Sequence, residues 1–337
     1  MRNKTIILSI TMIIVLILFF SGCSSNNMQG NDEKVVDNVE EEAAIAEDKE
    51  DNLNVNIMKD FRNMVENHNE PIDLIKYIEE NIEKVSPEER VEMIEKLELV
   101  QELYIEEYTD QLFIEDFQAE LLNLSGIHQL AKQQEGEIHS YLFFDESKIE
   151  EIKNGDLKEL IDKLIQGKYK LINLEGAFYP IIDYEALKVY DKYISNELKD
   201  YIHIKAMESN KPTIIDSALI IPFDELAGRL IIVEEYIKKY PEGIKYEELL
   251  RLYGTYLRFY LEGSDNTPIY DYETNEIKEE VLSSYKKTAK NKNTVTSSIV
   301  SKYIDIIEEN QFKIDEKVLS KITTLHNEAI ATLEEHK

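Results

Sequence analysis

The sequence predicts an all-α fold, on three observations. From Leu53 onward apolar residues recur at intervals of three and four, as in Val91, Ile94, Leu97, Val100, Tyr104, Tyr108 and Leu112, the spacing that lines up one face of a helix. These runs are punctuated by helix starters and stoppers, of which Ser86-Pro87-Glu88-Glu89 is the clearest: the serine caps, proline suits the first helical position, and Glu89 completes a capping box. Strand-like alternation is nearly absent, and so are heptad runs and the glycine pattern of a dinucleotide fold.

Taken in order, a first helix carries Leu53, Ile57, Phe61 and Met64/Val65, and a second starts at Pro71 with Leu74, Ile75, Ile78 and Ile82 on one face. The long helix after Ser86 ends by Ser125-Gly126 with an internal break, because glycine takes the left-handed conformation that closes a helix. Between Gly126 and Gly155 the pattern weakens; Asn154-Gly155-Asp156 then makes a turn and cap for a helix over Leu157–Gln166, stopped by Gly167. Lys168–Leu174 alternates weakly, as a short extended segment, and Glu185 to about Glu208 reads as one helix. Pro222 restarts a helix with Leu226, Leu230, Val233 and Ile237 buried, ended by Tyr240-Pro241-Glu-Gly243. Further helices fall near Ile277–Tyr285 and Val295–Ile307, around a lysine-rich loop at Lys286–Lys292, and Asp315 caps a last helix with Val318, Ile322, Leu325 and Ala329 inward.

The N-terminus has a different logic. Arg2 and Lys4 precede an uncharged apolar run from Ile6 to Phe20, which closes in Phe20-Ser21-Gly22-Cys23, the pattern of a secretory signal. As a helix the run reaches only about 22 Å, short of the roughly 30 Å hydrocarbon core. Its last four residues resemble the lipobox of bacterial lipoproteins, with Phe20 where that family usually has Leu. The resemblance implies that Cys23 is acylated, becomes the first residue of the mature chain and anchors it to the extracytoplasmic face of the cell membrane. Cys23 is the chain's single cysteine, so no internal disulfide supports the fold. The resulting organisation is a signal peptide over 1–22, an acidic flexible tether over 23–52, an N-terminal helical region over 53–153 and a C-terminal helical region over 154–337.

Charge narrows the partners. Without residues 1–22, which hold two cations and no anions, 36 Lys and Arg face 68 Asp and Glu, a net charge of −32. Nucleic acid is excluded as a partner, since phosphate binding needs a basic stripe, and an anionic membrane surface repels the body, so lipid must hold it there. The tether, polar and then acidic with no aromatic residue, buries too little apolar surface to fold.

One stretch comes back. Gly167, Tyr169, Leu174-Glu175-Gly176 and Pro180-Ile181, Asp183-Tyr184-Glu185 reappear 87 residues later as Gly254, Tyr256, Leu261-Glu262-Gly263 and, after one inserted residue, Pro268-Ile269, Asp271-Tyr272-Glu273. Ten positions agree, which suggests two related helix–loop–helix units at about 156–240 and 244–325. Fifteen of the twenty tyrosines lie between Tyr169 and Tyr285, together with Arg229, Arg251 and Arg258. Tyrosine suits both core packing with the hydroxyl at the edge and recognition surfaces. If the two loops converge, Tyr179, Asp183 and Tyr184 meet Tyr270, Asp271 and Tyr272 with Arg258 below, and a guanidinium there can receive a carboxylate or phosphate.

Catalytic and metal patterns are thin. His128, Glu135 and His139 would share the face of a continuous helix, but Gly126 and Gly136 argue against that helix. Gly126-Ile-His128-Gln-Leu-Ala131 lacks the final acid of the G-x-H-x-x-E motif of the imelysin family, which is therefore not assigned. Asp265, Asn266, Asp271 and Glu273 offer hard oxygen ligands in a glycine-containing loop that does not match an EF-hand, and Asp and Asn serve turns equally well. The expectation is no cofactor, no metal and no catalytic residue. The function that follows is a membrane-tethered binding or scaffolding module for a protein, peptide or cell-wall partner, with a cell-surface hydrolase or metal-dependent enzyme as the alternative.

Overall fold

The computed structural model describes residues 56–114, 116–126, 142–291, 293–335 and 337. The expected signal peptide, Cys23, the tether and the His128, Glu135 and His139 group lie outside the described residues. Helix accounts for 67 % and strand for 9 %, so the class is all-α, with strands only as short antiparallel pairs. The described residues belong to one compact unit, and a single apolar core runs through it from Ile57 to Leu333.

The elements in order are α1 (56–66), α2 (Pro71–Asn81), α3 (Pro87–Leu112), α4 (Phe117–Ser125), α5 (Gly155–Gln166), β1 (Tyr169–Leu174), β2 (Ala177–Ile182), α6 (Tyr184–Leu187), α7 (Asn196–Asn210), β3 (Ile214–Ile215), β4 (Ala218–Leu219), α8 (Phe223–Lys239), α9 (Tyr246–Glu262), β5 (Gly263–Ser264), β6 (Thr267–Pro268), α10 (Glu279–Thr288), α11 (Val295–Glu309), α12 (Glu316–Leu319) and α13 (Ile322–Glu334). The long α3 starts on the full capping box between Ser86 and Glu89, with Pro87 in its first turn. The break after it falls at Phe113, and α4 closes on Gly126 in the left-handed conformation at φ 69°.

Two expectations of continuous helix are corrected. The segment after Asp183 is broken: α6 passes into a 3-10 turn at Lys188–Tyr190, and Ser195 then caps a separate α7 by accepting from the Leu198 amide. Serine competes with the backbone for its own hydrogen bonds, so it favours a new start over a helix interior. Asp315 caps only the single turn α12, and a second break precedes α13.

The extended segment beginning at Lys168 is β1, but its partner β2 is a second strand that the sequence reading missed. They pair over six positions, from Tyr169 with Ile182 to Leu174 with Ala177. The two-residue loop between them has Glu175 at φ 52° and Gly176 at φ 84°, the primed turn whose twist matches a hairpin. Neither outer edge is left open. Residues 142–144 bond to β1, Phe144 N to Leu171 O at 3.0 Å and Asn173 N to Leu142 O at 2.6 Å. On β2 the Gln118 amide imitates a strand: its Nε2 donates to Phe178 O at 2.9 Å and its Oε1 accepts from Phe178 N at 2.8 Å.

Where α3, α7 and α9 meet, the core is polar. Glu98 is 5 % exposed; its Oε1 accepts from the hydroxyls of Tyr184 at 2.7 Å and Tyr201 at 2.5 Å, and its Oε2 accepts from Lys245 Nζ at 2.6 Å. Burial works against the Lys245 charge, but Glu98 and Glu248 outweigh it and its pKa is raised. Glu234 is buried similarly and closes the start of α11, accepting from Val295 N at 2.6 Å and Thr296 N at 2.8 Å, where the helix dipole favours an anion. Most tyrosines are core: Tyr169, Tyr201, Tyr253, Tyr256, Tyr260 and Tyr285 are among the largest fully buried side chains.

Candidate functional site

The residues that form the site lie where α9 ends. Tyr253, Tyr256, Leu257 and Tyr260 turn the buried face of α9 inward, and this leaves Arg258 and Glu262, four apart, on the outer face. At Gly263 the chain reverses with φ 80° and ψ −158°, a region essentially closed to residues with a side chain. A Cβ there would stand 2.5 Å from Thr267 O, so the close approach of β5 to β6 also requires glycine. The short hairpin pairs Gly263 with Pro268 and Ser264 with Thr267.

Its tip is clipped to the β3–β4 hairpin. Asn266 N donates to Ser217 O at 3.0 Å and Asn266 Nδ2 to Asp216 O at 2.7 Å, while Leu219 N donates to Thr267 Oγ1 at 3.1 Å. Beyond Pro268 the chain forms a second tight turn in which Asp271 Oδ1 accepts from the amides of Glu273 and Thr274, both at 2.9 Å. Those backbone donors hold the Asp271 carboxyl below its ordinary pKa. The turn brings the Tyr270 and Tyr272 rings edge to face at 5.2 Å.

The result is a cavity of about 430 Å³ with Arg258, Glu262, Ser264, Asp265, Tyr270 and Tyr272 on its walls, and Phe259 and Leu319 supplying apolar surface. Arg258 Nε donates to Glu262 Oε2 at 2.9 Å, with the arginine side chain 68 % exposed. An exposed pair one helical turn apart contributes about 0.3–0.5 kcal/mol, too little to hold the guanidinium against a ligand. Its two Nη groups make no hydrogen bond among the described residues, and a planar fork of that kind suits a carboxylate or phosphate. Ser264 Oγ is buried without a hydrogen-bond partner among the described residues. Such an atom costs on the order of 1–3 kcal/mol until something bonds to it. Tyr272 is 65 % exposed, an outlying value for a large ring.

Of the residues nominated from sequence, the cavity brings Arg258, Tyr270 and Tyr272 together, with Asp271 behind them serving its own turn. Tyr179, Asp183 and Tyr184 are not on its walls. Tyr179 packs on Phe113 with ring centroids 5.4 Å apart. Asp183 pairs with Lys170 at 3.2 Å and accepts from the Glu185 amide at 3.1 Å. Tyr184 is buried against Glu98, and burial, reinforced by that carboxylate, raises its pKa. The expected convergence of the two loops is corrected accordingly: the first follows a hairpin of six paired positions whose β2 packs on α3 and α4, whereas the second hangs from the end of α9.

Sequence reasoning missed Glu262, Ser264, Phe259 and Leu319. Glu262 had a signal, its four-residue spacing from Arg258, while Leu319 arrives from α12 with no local signal at all. Asp265 was nominated only as a calcium ligand. Among the described residues no three His, Cys, Asp or Glu side chains gather as a metal site. Arg229, in the same tyrosine-rich stretch, is buried and bonded to Glu208 at 2.9 Å and Glu225 at 3.0 Å. No helix among the described residues is long and apolar enough to cross a membrane. No protein-family model matches the chain, and no curated protein or solved structure is significantly similar to it.

Proposed function

We propose that the protein is a membrane-tethered, extracytoplasmic lipoprotein that binds a protein, peptide or cell-wall partner through the cavity at the end of α9. The observation that carries this reading is the meeting of Arg258, Tyr270 and Tyr272 around one cavity. Concave shape, aromatic walls and a few convergent polar groups are the usual features of a binding pocket. A guanidinium held only by an exposed pair supplies a point for an anionic group on the partner. The lipobox-like Phe20-Ser21-Gly22-Cys23 and the acidic segment after it support the address, with the lipid anchor on Cys23 as the contact with the membrane.

The test is retention of solubilised envelope proteins and purified cell-wall fragments on the immobilised chain, compared with Arg258→Ala and Tyr272→Ala. The main retained species should fall about tenfold with either variant, as the loss of one anchor residue allows, while the melting temperature stays the same. Equal retention by all three chains removes the cavity from the account. For the address, Cys23→Ala should leave a precursor of unprocessed mass; normal maturation of that variant would overturn the lipoprotein reading.

A further inference from the structure

On the other side of the β3–β4 hairpin lies a groove of about 400 Å³ whose lining is mostly aliphatic. Ile105 of α3, Leu174 and Ile181 of the long hairpin, and Ile214 and Ile215 of β3 all face it half-buried. Ile214 is the one residue it shares with the Arg258 cavity. These side chains gather half-buried aliphatic surface in one concavity, and covering it contributes about 25 cal/mol per Å².

The rim says what covers it. Lys205, Glu208 and Glu102 stand along the groove. Lys205 is taken by Glu248 at 2.8 Å and Glu208 by Arg229 at 2.9 Å. Glu102 is exposed and has no hydrogen bond or ion pair among the described residues. Partial burial raises the pKa of its carboxyl group, with Glu98 and Glu248 adding to the rise and Lys205 and Lys245 opposing it, and a basic side chain is the partner that an unpaired carboxylate at the rim suits. A fatty acid would set its carboxylate against that rim. The chain's own segment 31–52, with ten acids against two lysines, is repelled by it, and a second mature copy brings a net charge of −32.

We propose that this groove is a second binding site, for an extended peptide segment that places aliphatic side chains on the isoleucine floor and a basic side chain on Glu102. Apolar contact supplies the affinity and the carboxylate sets the polarity of the partner. The site is separate from the Arg258 cavity except at Ile214, so it stands or falls on its own.

The probe is a fluorescein-labelled eight-residue peptide alternating lysine and leucine, titrated by anisotropy against the full chain in phosphatidylcholine nanodiscs with empty nanodiscs as blank. It should bind saturably, and a lysine–serine peptide and a glutamate–leucine peptide should each bind at least about tenfold more weakly. Ile181→Asp and Glu102→Gln should weaken the first peptide, by about tenfold and about threefold respectively, and Tyr272→Ala should leave it unchanged. Ile215→Asp serves as a second groove variant should Ile181→Asp lose its helical circular dichroism. Equal binding of the lysine–serine peptide would mean attraction to acidic surface alone, and displacement of the probe by dodecanoate but not by unlabelled peptide would mean a lipid groove. Either result, absence of saturable binding, or full binding by both folded groove variants overturns the proposal.

Discussion

Tyr184 and Tyr272 occupy the same place in two matching stretches of sequence and live in opposite surroundings. Tyr184 is 6 % exposed and donates to a buried carboxylate, whereas Tyr272 is 65 % exposed at the mouth of a cavity. The residues just before them behave alike: Pro180 and Pro268 both lie in the second strand of a hairpin, and Asp183 and Asp271 both accept from the amide two residues on. The difference lies upstream. Gly167 stands at the end of α5, and the next residues form a six-residue strand. Gly254, its counterpart, is inside α9, which runs on to Glu262 and leaves room for only two paired positions. A long hairpin seats its following turn in the core; a short one at a helix end leaves the turn out in solvent. Shared letters therefore specify the local turn, and the element before it specifies whether that turn supports the fold or offers a surface.

The largest test of this contrast is Glu98→Ala. It leaves Lys245 and the hydroxyls of Tyr184 and Tyr201 without their common partner, and breaking a buried pair from one side costs about 3–5 kcal/mol. Urea denaturation should show a loss of that size, and a loss under about 1 kcal/mol would mean that the Tyr184 side of the comparison is no more structural than the Tyr272 side.

A sharper and smaller effect separates the two matched glycines. Gly176, at φ 84°, has open space where a Cβ would go, while at Gly263 a Cβ would meet Thr267 O at 2.5 Å. Gly176→Ala should cost about 1–2 kcal/mol for its backbone alone, and Gly263→Ala clearly more than that, since close contact adds to a conformation closed to alanine. Equal costs by thermal melting would contradict the geometry of the short hairpin. Between the two matched tyrosines, Tyr184→Phe should cost about 1.5–3 kcal/mol for a hydrogen bond to a charged group, and Tyr272→Phe, the smallest effect of all, less than about 0.5 kcal/mol. Reversal of that order in paired denaturation curves would put Tyr272 in the core.

How legible this was depends on range. The capping box at Ser86, the left-handed Gly126 and the cap at Asn154 are local, and each stood in the sequence because its chemistry spans three or four residues. β2 escaped because Ala177–Ile182 carries Phe, Pro and two isoleucines, and its alternation of burial appears only once β1 pairs with it. Glu98 and Glu234 look like any other glutamate on a charged helix, and only the approach of α9 or α11 makes them buried partners. Half of the candidate site was visible for the same reason: Arg258, Tyr270 and Tyr272 sit within fifteen residues of one another, whereas Leu319 reaches the cavity from another helix.

The most direct test of the central claim, that the second stretch presents a binding surface, is photo-crosslinking in the cell. p-Benzoylphenylalanine at position 272 samples the cavity mouth, and the same group at position 189 samples a residue that is also well exposed, at 55 %, but follows the first stretch. A discrete adduct formed from position 272, absent from position 189 and lost when Arg258→Ala is added, is the predicted result. Adducts alike at both positions, or none from position 272, would contradict it.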